Sequence, residues 1–149
     1  MFLIKIDFAS PTFDEYIKMR YDELLEPFGL DWDEETILEE EKLEHYGLFD
    51  ADFQFLGGVQ LDPAHASVKQ LVIRKAIQKK GLGSFVLKEL EKIAAAKHME
   101  QISLLAHKSV LPFYEKQGFV KEGNPKQVAG IEHQLMTKKI EKITIETEN

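Results

Sequence analysis

The chain reads as an α/β domain, and three observations carry that reading. Apolar and polar residues alternate in FLIKIDF, with Phe2, Ile4 and Ile6 set against Lys5 and Asp7, as in a half-buried strand. Stretches with apolar residues every third or fourth position read as helices instead, the clearest being Leu82, Val86, Leu90, Ile93 and Ala94 opposite Lys88, Glu89, Glu91 and Lys92. The two periods interleave along the chain, predicting the order β-α-α-β-β-β-α-β-α-β-β and a central mixed, mostly antiparallel sheet of about six to seven strands flanked by about four helices.

Each element has a local cause. Ser10-Pro11 opens the first helix, with Thr12 and Glu15 placed as a capping box. Its apolar face runs Phe13, Ile17, Tyr21, Leu24, Phe28, and Pro27 and Gly29 end it. Asp33 to Glu44 reads as a short acidic helix anchored by Ile37, Leu38 and Leu43. HYGLFD, FQFLGGVQL and SVKQLVI follow as strands, joined by turns at Asp50-Ala51-Asp52 and Asp62-Pro63. QISLLA is a further strand, VLPFYEKQ a short helix stopping at Gly118, and FVKEG with HQLMTKKI a closing strand pair. Residues 1–140 are thus expected to form one domain, with Glu141 to Asn149 a polar tail.

Composition narrows the function classes. At 149 residues the length suits one core, and no apolar run approaches the roughly 20 residues that span a bilayer. The start, MFLIKIDFAS, has no basic segment followed by an apolar one, so no signal peptide is expected. Zero cysteines removes disulfides, thiolate metal sites and a Cys nucleophile, and fits a reducing cytoplasm. The net charge of −7 is uneven: residues 1–62 hold 17 acids and 4 bases, the remainder 9 acids and 15 bases. One half should repel anions and the other attract them. Nucleic-acid binding is not expected, because no basic patch is interleaved with aromatics.

The chemistry concentrates in IQKKGLGS, between the apolar VKQLVI and the amphipathic helix. Amides at a helix N-terminus point outward and the macrodipole adds roughly half a positive charge. Glycines there let phosphates approach the backbone. Lys69, Arg74, Lys75, Lys79 and Lys80 fall within twelve residues that contain no acid. A Walker A string is absent, and the third glycine of a dinucleotide fingerprint is replaced by Val86. Alone, Gly-x-Gly at a helix start remains an ordinary turn as readily as a site.

Gln78-x-x-Gly81-x-Gly83 resembles the Q/R-x-x-G-x-G/A motif of the GNAT N-acetyltransferase superfamily, and Phe113-Tyr114-Glu115-Lys116-Gln117-Gly118-Phe119, about thirty residues on, resembles its second landmark. Element order over residues 2–140 is similar too, and GIEHQLMTKKI resembles a subgroup of small bacterial members. The resemblance implies acetyl-CoA as cosubstrate, with no metal. It gives Gln78, Lys79, Lys80, Gly81, Leu82, Gly83 and Ser84 to the pyrophosphate and the backbone of Leu71, Val72 and Ile73 to the pantetheine arm. Tyr114 takes the general-acid position, where a phenol of ordinary pKa near 10 is protonated at neutral pH. Packing against the sheet is its alternative.

Two departures stand out. His107 occupies the place where members often carry a CoA-contacting asparagine, and VKQLVI lacks the glutamate that often serves as base. His133 beside Glu132 is the candidate base, with His45 and His65 as alternatives; an amine arriving deprotonated needs none. The first two helices and the last strand pair would wall the acceptor, a small-molecule or peptide amine. Their acids (Asp31, Asp33, Glu34, Glu35 and Glu39 to Glu41 among them) favour a cation, unless they form only a solvated face. Trp32 and Tyr21 would line the pocket or the core. The implied activity is acetyl transfer to a primary amine; a non-catalytic acyl-CoA-binding module is the alternative. A homodimer is compatible with either.

Overall fold

The computed structural model describes residues 1–142, so most of the expected polar tail lies outside the described residues. The chain divides into two compact units, Met1–Val86 and a second beginning at Leu87. Together the described residues hold four α-helices and eight strands, one strand more than the sequence order predicts.

The first unit contains β1 (Phe2–Ile6), α1 (Pro11–Arg20), α2 (Glu34–Glu39), β2 (Glu44–Phe49), β3 (Phe55–Asp62) and β4 (Ser67–Ile73), and α3 (Leu82–Ala96) begins in it. Its strands form an antiparallel meander in chain order. Asp50 closes the β2–β3 turn by accepting from the amides of Asp52 and Gln54 at 2.9 and 3.0 Å. Asp62 closes the next by accepting from the Ala64 amide at 3.0 Å.

Helix α1 starts at Ser10-Pro11 as expected, two residues ahead of the Thr12 capping box. Pro11 takes the first helical position, so Ser10 becomes the cap and its Oγ accepts from the Phe13 amide at 3.2 Å. The buried stripe is Phe13, Tyr16, Met19 and Arg20. Beyond Arg20 the backbone widens into a π-type turn (Tyr21–Leu25), then tightens into a 3-10 turn (Glu26–Phe28), so the spacing that pointed to Tyr21, Leu24 and Phe28 no longer selects one face. Helix α2 is shorter than Asp33 to Glu44: Asp33 caps it, and a 3-10 turn (Glu40–Lys42) ends it. Ile37 is partly buried and Leu43 buried, but Leu38 is 66% exposed and anchors nothing.

The core beneath α1 comprises Ile6, Phe13, Tyr16, Met19, Phe55 and Val72. Gly58 makes room for it, since a Cβ there would stand 2.6 Å from the Tyr16 ring. The Tyr16 hydroxyl donates to the Gln70 carbonyl at 2.6 Å. Gln70 has φ +54°, and the β3–β4 register slips between Gly58 and Gln60, a bulge that leaves Gln70 and Leu71 facing Val59. Tyr16 therefore ties the α1 core to the one kinked position of β4.

The second unit holds the rest of α3, then β5 (Gln101–His107), α4 (Leu111–Lys116), β6 (Val120–Lys121), β7 (Lys126–Val128) and β8 (Ile131–Lys139). β8 pairs antiparallel with β5, β6 and β7. β7 is the unpredicted strand: its three exposed residues are too few to show alternation. Lys138 reaches from β8 to Glu91 on α3 at 2.6 Å and donates to the Gln117 carbonyl at 2.6 Å, holding both helices to the strand.

Candidate functional site

In the first unit, β4 ends at Ile73 and the chain turns immediately. The Arg74 amide donates to the Leu56 carbonyl at 2.8 Å and its guanidinium to the Phe55 carbonyl at 2.7 Å. A 3-10 turn (Lys75–Ile77) follows, and the Gln78 side-chain amide donates back to the Ile73 carbonyl at 2.8 Å and to Glu23 at 3.3 Å. The motif glutamine thus folds the loop onto the end of its own strand. Lys79 and Gly81 both have positive φ, +66° and +78°, and Lys79, Lys80 and Gly81 are exposed. The first helical bond of α3 runs from the Phe85 amide to the Gly81 carbonyl at 3.1 Å, so the amides ahead of it belong to the turn for which a helix offers no carbonyl.

A Cβ added at Gly81 would meet nothing within 4 Å. The glycine is needed for its backbone conformation, and the space over it is open to an approaching group. With amides of a helix start, exposed lysines and an open glycine, the loop fits a pyrophosphate. Leu71 is partly buried while Val72 and Ile73 are buried, and on β3 they face Gly58 and Gly57, residues without side chains.

In the second unit, Tyr114 lies on α4 between two rings, 5.0 Å from Phe113 and 5.8 Å from Phe119, both edge-on. Burial pushes its phenol up to about 12, so the group is protonated at every physiological pH. It is also a weaker acid than a thiol of ordinary pKa near 8.5, so any donation to a thiolate must accompany bond cleavage.

His107 and His133 face each other across β5 and β8, their rings edge-on at 5.5 Å. His107 Nδ1 accepts from the Ser109 amide at 3.1 Å and lies 2.6 Å from Ser109 Oγ, which in the neutral ring places the proton on Nε2. His133 has the opposite arrangement: Nδ1 donates to the Ile131 carbonyl at 2.9 Å, leaving the Nε2 lone pair to accept a proton. Glu132 pairs with Lys108 at 3.4 Å.

The alternatives for the base separate cleanly. His45 is 2% exposed and its two nitrogens are committed, Nε2 donating to the Glu40 carbonyl at 2.9 Å and Nδ1 accepting from Gln60 at 3.2 Å. It is a structural histidine. His65 is exposed and its Nδ1 lies 2.9 Å from Asp62 Oδ2, which orients the ring. Burial would raise the Asp62 carboxyl, but hydrogen bonds from His65 and the Ala64 amide outweigh it and hold the group below the usual carboxylate range.

Sequence reasoning missed a polar cluster under α1. Arg20 makes two bonds to the Glu40 carboxylate, 2.7 and 2.8 Å, and Gln60 Nε2 donates to the same carboxylate at 2.6 Å. All three side chains are buried. Glu40 sits within a run of acids and looks solvated; the available signal was Arg20, one of only four bases in the first 62 residues. Of the two candidate pocket aromatics, Tyr21 packs on Trp32 at 5.4 Å, and Trp32 is 47% exposed. Among the described residues no group of three or more His, Asp or Glu could hold a metal ion, and no helix is long and apolar enough to cross a membrane.

Comparison with known proteins identifies the family and the fold. The pattern of the acetyltransferase (GNAT) domain matches residues 22–140. No curated protein matches by sequence. Solved structures do match in fold. An aminoglycoside 6'-N-acetyltransferase complexed with coenzyme A superposes with TM-score 0.77 at 16% identity, over 97% of this chain and 100% of that one. An aminoglycoside 6'-N-acetyltransferase from Enterococcus faecium gives 0.74 at 18% identity, over 97% and 100%. A GNAT family acetyltransferase from Elizabethkingia anophelis with acetyl-CoA bound gives 0.70 at 18%, over 93% and 97%. The protein belongs to the GNAT acetyltransferase family.

Proposed function

We propose that the protein transfers an acetyl group directly from acetyl-CoA to a primary amine, with residues 1–140 working as one catalytic domain in the cytoplasm. The observation that carries this is the Gln78–Ser84 loop: a positive-φ Gly81 with open space above it, at the start of a long helix, beside two exposed lysines. Similar folds that hold coenzyme A or acetyl-CoA support it.

On this reading the loop amides hold the pyrophosphate and the β4 backbone from Leu71 to Ile73 lies along the pantetheine arm. The kink at Gln70, whose carbonyl is taken by the Tyr16 hydroxyl, breaks the regular ladder just before this stretch. The amine lone pair forms the new C–N bond, the C–S bond breaks, and its electron pair goes to sulfur. Tyr114 passes its proton to that sulfur as the bond opens, and His133 Nε2 takes the proton lost by the amine. His107, its Nδ1 held by Ser109, stands at the CoA side where the family often has an asparagine. His65 is a second candidate base, favoured by the Asp62 carboxylate that orients it.

The test is CoA release. Incubation with acetyl-CoA and an amine panel should liberate free thiol, read by a thiol reagent that the Cys-free chain leaves undisturbed. Acetyl-CoA binding without turnover of any amine would instead support a non-catalytic acyl-CoA module. Replacing His133 with Gln should lower kcat and remove the acidic limb of the rate profile if it is the base, since protonation would no longer silence it; an unchanged profile, with loss on His65→Gln, assigns the role to His65.

A further inference from the structure

The terminal strand of the sheet, β1, carries an apolar patch that acetyl transfer does not use. Phe2, Ile4 and Ile6 share one face of it. Ile6 is buried with Phe13 and Tyr16 in the core beneath α1, but Phe2 and Ile4 are exposed. Among the described residues β1 pairs with β2 alone, so its other edge keeps the backbone donors and acceptors that a further strand would use.

Phe53 extends the patch from the β2–β3 turn. Its amide donates to the Asp50 carbonyl at 3.0 Å and the Asp50 amide donates to the Gln54 carbonyl at 3.2 Å, which closes the turn and leaves Phe53 at φ +59°. That left-handed position after a tight turn suits Gly or Asn, and a bulky ring there is strained. The ring gains little cover in return. It stacks on Phe2 at 6.3 Å with the planes 16° apart, yet it stays 70% exposed. A strained aromatic left in solvent, against another exposed aromatic on an open strand edge, marks a surface kept for contact rather than for the fold.

Charge selects the occupant. Phe2 lies opposite Phe49, so Asp50 and Asp52 stand at one end of the patch, and Asp7 follows Ile6 at the other. The cations nearby are the Met1 amino group and Lys5, and Lys5 projects from the opposite face toward Glu44, 3.9 Å away. A second copy adding antiparallel to β1 would set Asp7 of each chain against Asp50 and Asp52 of the other, acid on acid at both ends. An anionic membrane would meet the same repulsion. A basic strand fits instead. From Phe2 to Asp7 the edge runs roughly 17 Å at about 3.4 Å per residue, so a strand of about seven residues reaches both ends.

We propose that β1 and Phe53 dock an extended segment of another protein, which adds to the sheet as a strand. It carries apolar residues at alternate positions over Phe2, Ile4 and Phe53, and a Lys or Arg near each end. The docking is independent of acetyl transfer.

The experiment titrates the full chain, followed by NMR, with three end-capped peptides: KTVTVTK; ETVTVTE, in which only the end charges change; and KTSTSTK, which lacks the apolar positions. The first should bind about tenfold more tightly than either of the others, with shifts centred on the amides of Phe2 to Ile6 and on Phe53. Phe53→Asn places a residue suited to positive φ in the turn. It should weaken that binding about tenfold and leave the melting temperature unchanged or raised. Absent binding, shifts centred elsewhere, or equal affinity for the acidic peptide overturns the proposal, and the wild-type titration decides this even if Phe53→Asn fails to fold. A lowered melting temperature with undiminished peptide binding would make Phe53 a packing residue and overturn it too. A wild-type dimer in light scattering that Phe53→Asn dissociates would make a second copy the occupant, and binding to phosphatidylcholine vesicles would make it a lipid surface; either result overturns the assignment to a basic strand.

Discussion

At the scale of single residues, Gly81 and Tyr114 do different work and should fail differently. Gly81→Val forces a branched side chain to φ +78° and fills the open space over the loop, so acetyl-CoA affinity should drop by more than tenfold in calorimetry. Lys79→Ala or Lys80→Ala removes only an exposed charge and should cost a few-fold, reduced further in high salt. Tyr114→Phe keeps the ring stack with Phe113 and Phe119, so it should lower kcat by about 100-fold with acetyl-CoA affinity nearly intact. Parallel loss of both would mark the tyrosine as packing alone.

These residues also show what was legible in the chain. Gln78, Gly81, Gly83 and Tyr114 stand in short strings that resemble the family's motifs, so they could be singled out before any fold was known. Tyr16, Arg20, Glu40, His45 and Gln60 could not. They come from four separate elements or turns, and only the meander and α1 bring them into contact. Buried polar partners distant in sequence leave no periodic trace.

At the scale of elements, β1 leaves Phe2 and Ile4 exposed at 49% and 42%, against its apparent alternation, while β5 and α3 followed their hydrophobic period, since one face of each meets a core. The first two helices did not. The π-type turn after Arg20 and the 3-10 turn after Glu39 change the angular step, so the predicted stripe is kept only in part: Ile17, Leu24 and Ile37 pack against the core while Phe28 and Leu38 are exposed. The polar cluster under α1 makes a testable demand. Arg20→Leu leaves Glu40 buried without its countercharge and should destabilise the fold by about 3 to 5 kcal/mol in urea unfolding.

The same cluster sets a pH limit. Burial lowers the His45 pKa below its ordinary value near 6.5, with the Arg20 and Lys5 charges adding to that and Glu40 opposing it. Below about pH 6.5 the unfolded chain gains a proton that the native chain refuses, so stability falls as pH drops and levels off beneath the native pKa. Protonation would also turn Nδ1 into a donor facing the Gln60 amide. The melting temperature of wild type should therefore fall between pH 7 and 5.5 more steeply than that of His45→Asn; equal slopes would remove His45 as the cause.

At the scale of the whole molecule, charge is divided by sequence: 17 acids and 4 bases before residue 63, the reverse balance after it. The acids that sequence reading grouped as one anionic rim are partly spoken for. Glu40 is neutralised by Arg20, and Asp62 lies beside His65 and, at 3.9 Å, Lys69. Attraction of a cation thus falls to exposed acids such as Glu34, Glu35 and Glu39, whose effect salt will screen. Amine turnover should weaken between 50 and 500 mM salt through KM rather than kcat.

The central claim, that this family fold carries a working acetyl transfer, is tested most directly by thiol release from acetyl-CoA with an amine panel that includes diamines and amino alcohols. The account predicts amine-dependent release of free CoA that Tyr114→Phe suppresses and acetyl-CoA binding that Gly81→Val abolishes. Absence of acetyl-CoA binding by the wild-type chain would contradict it.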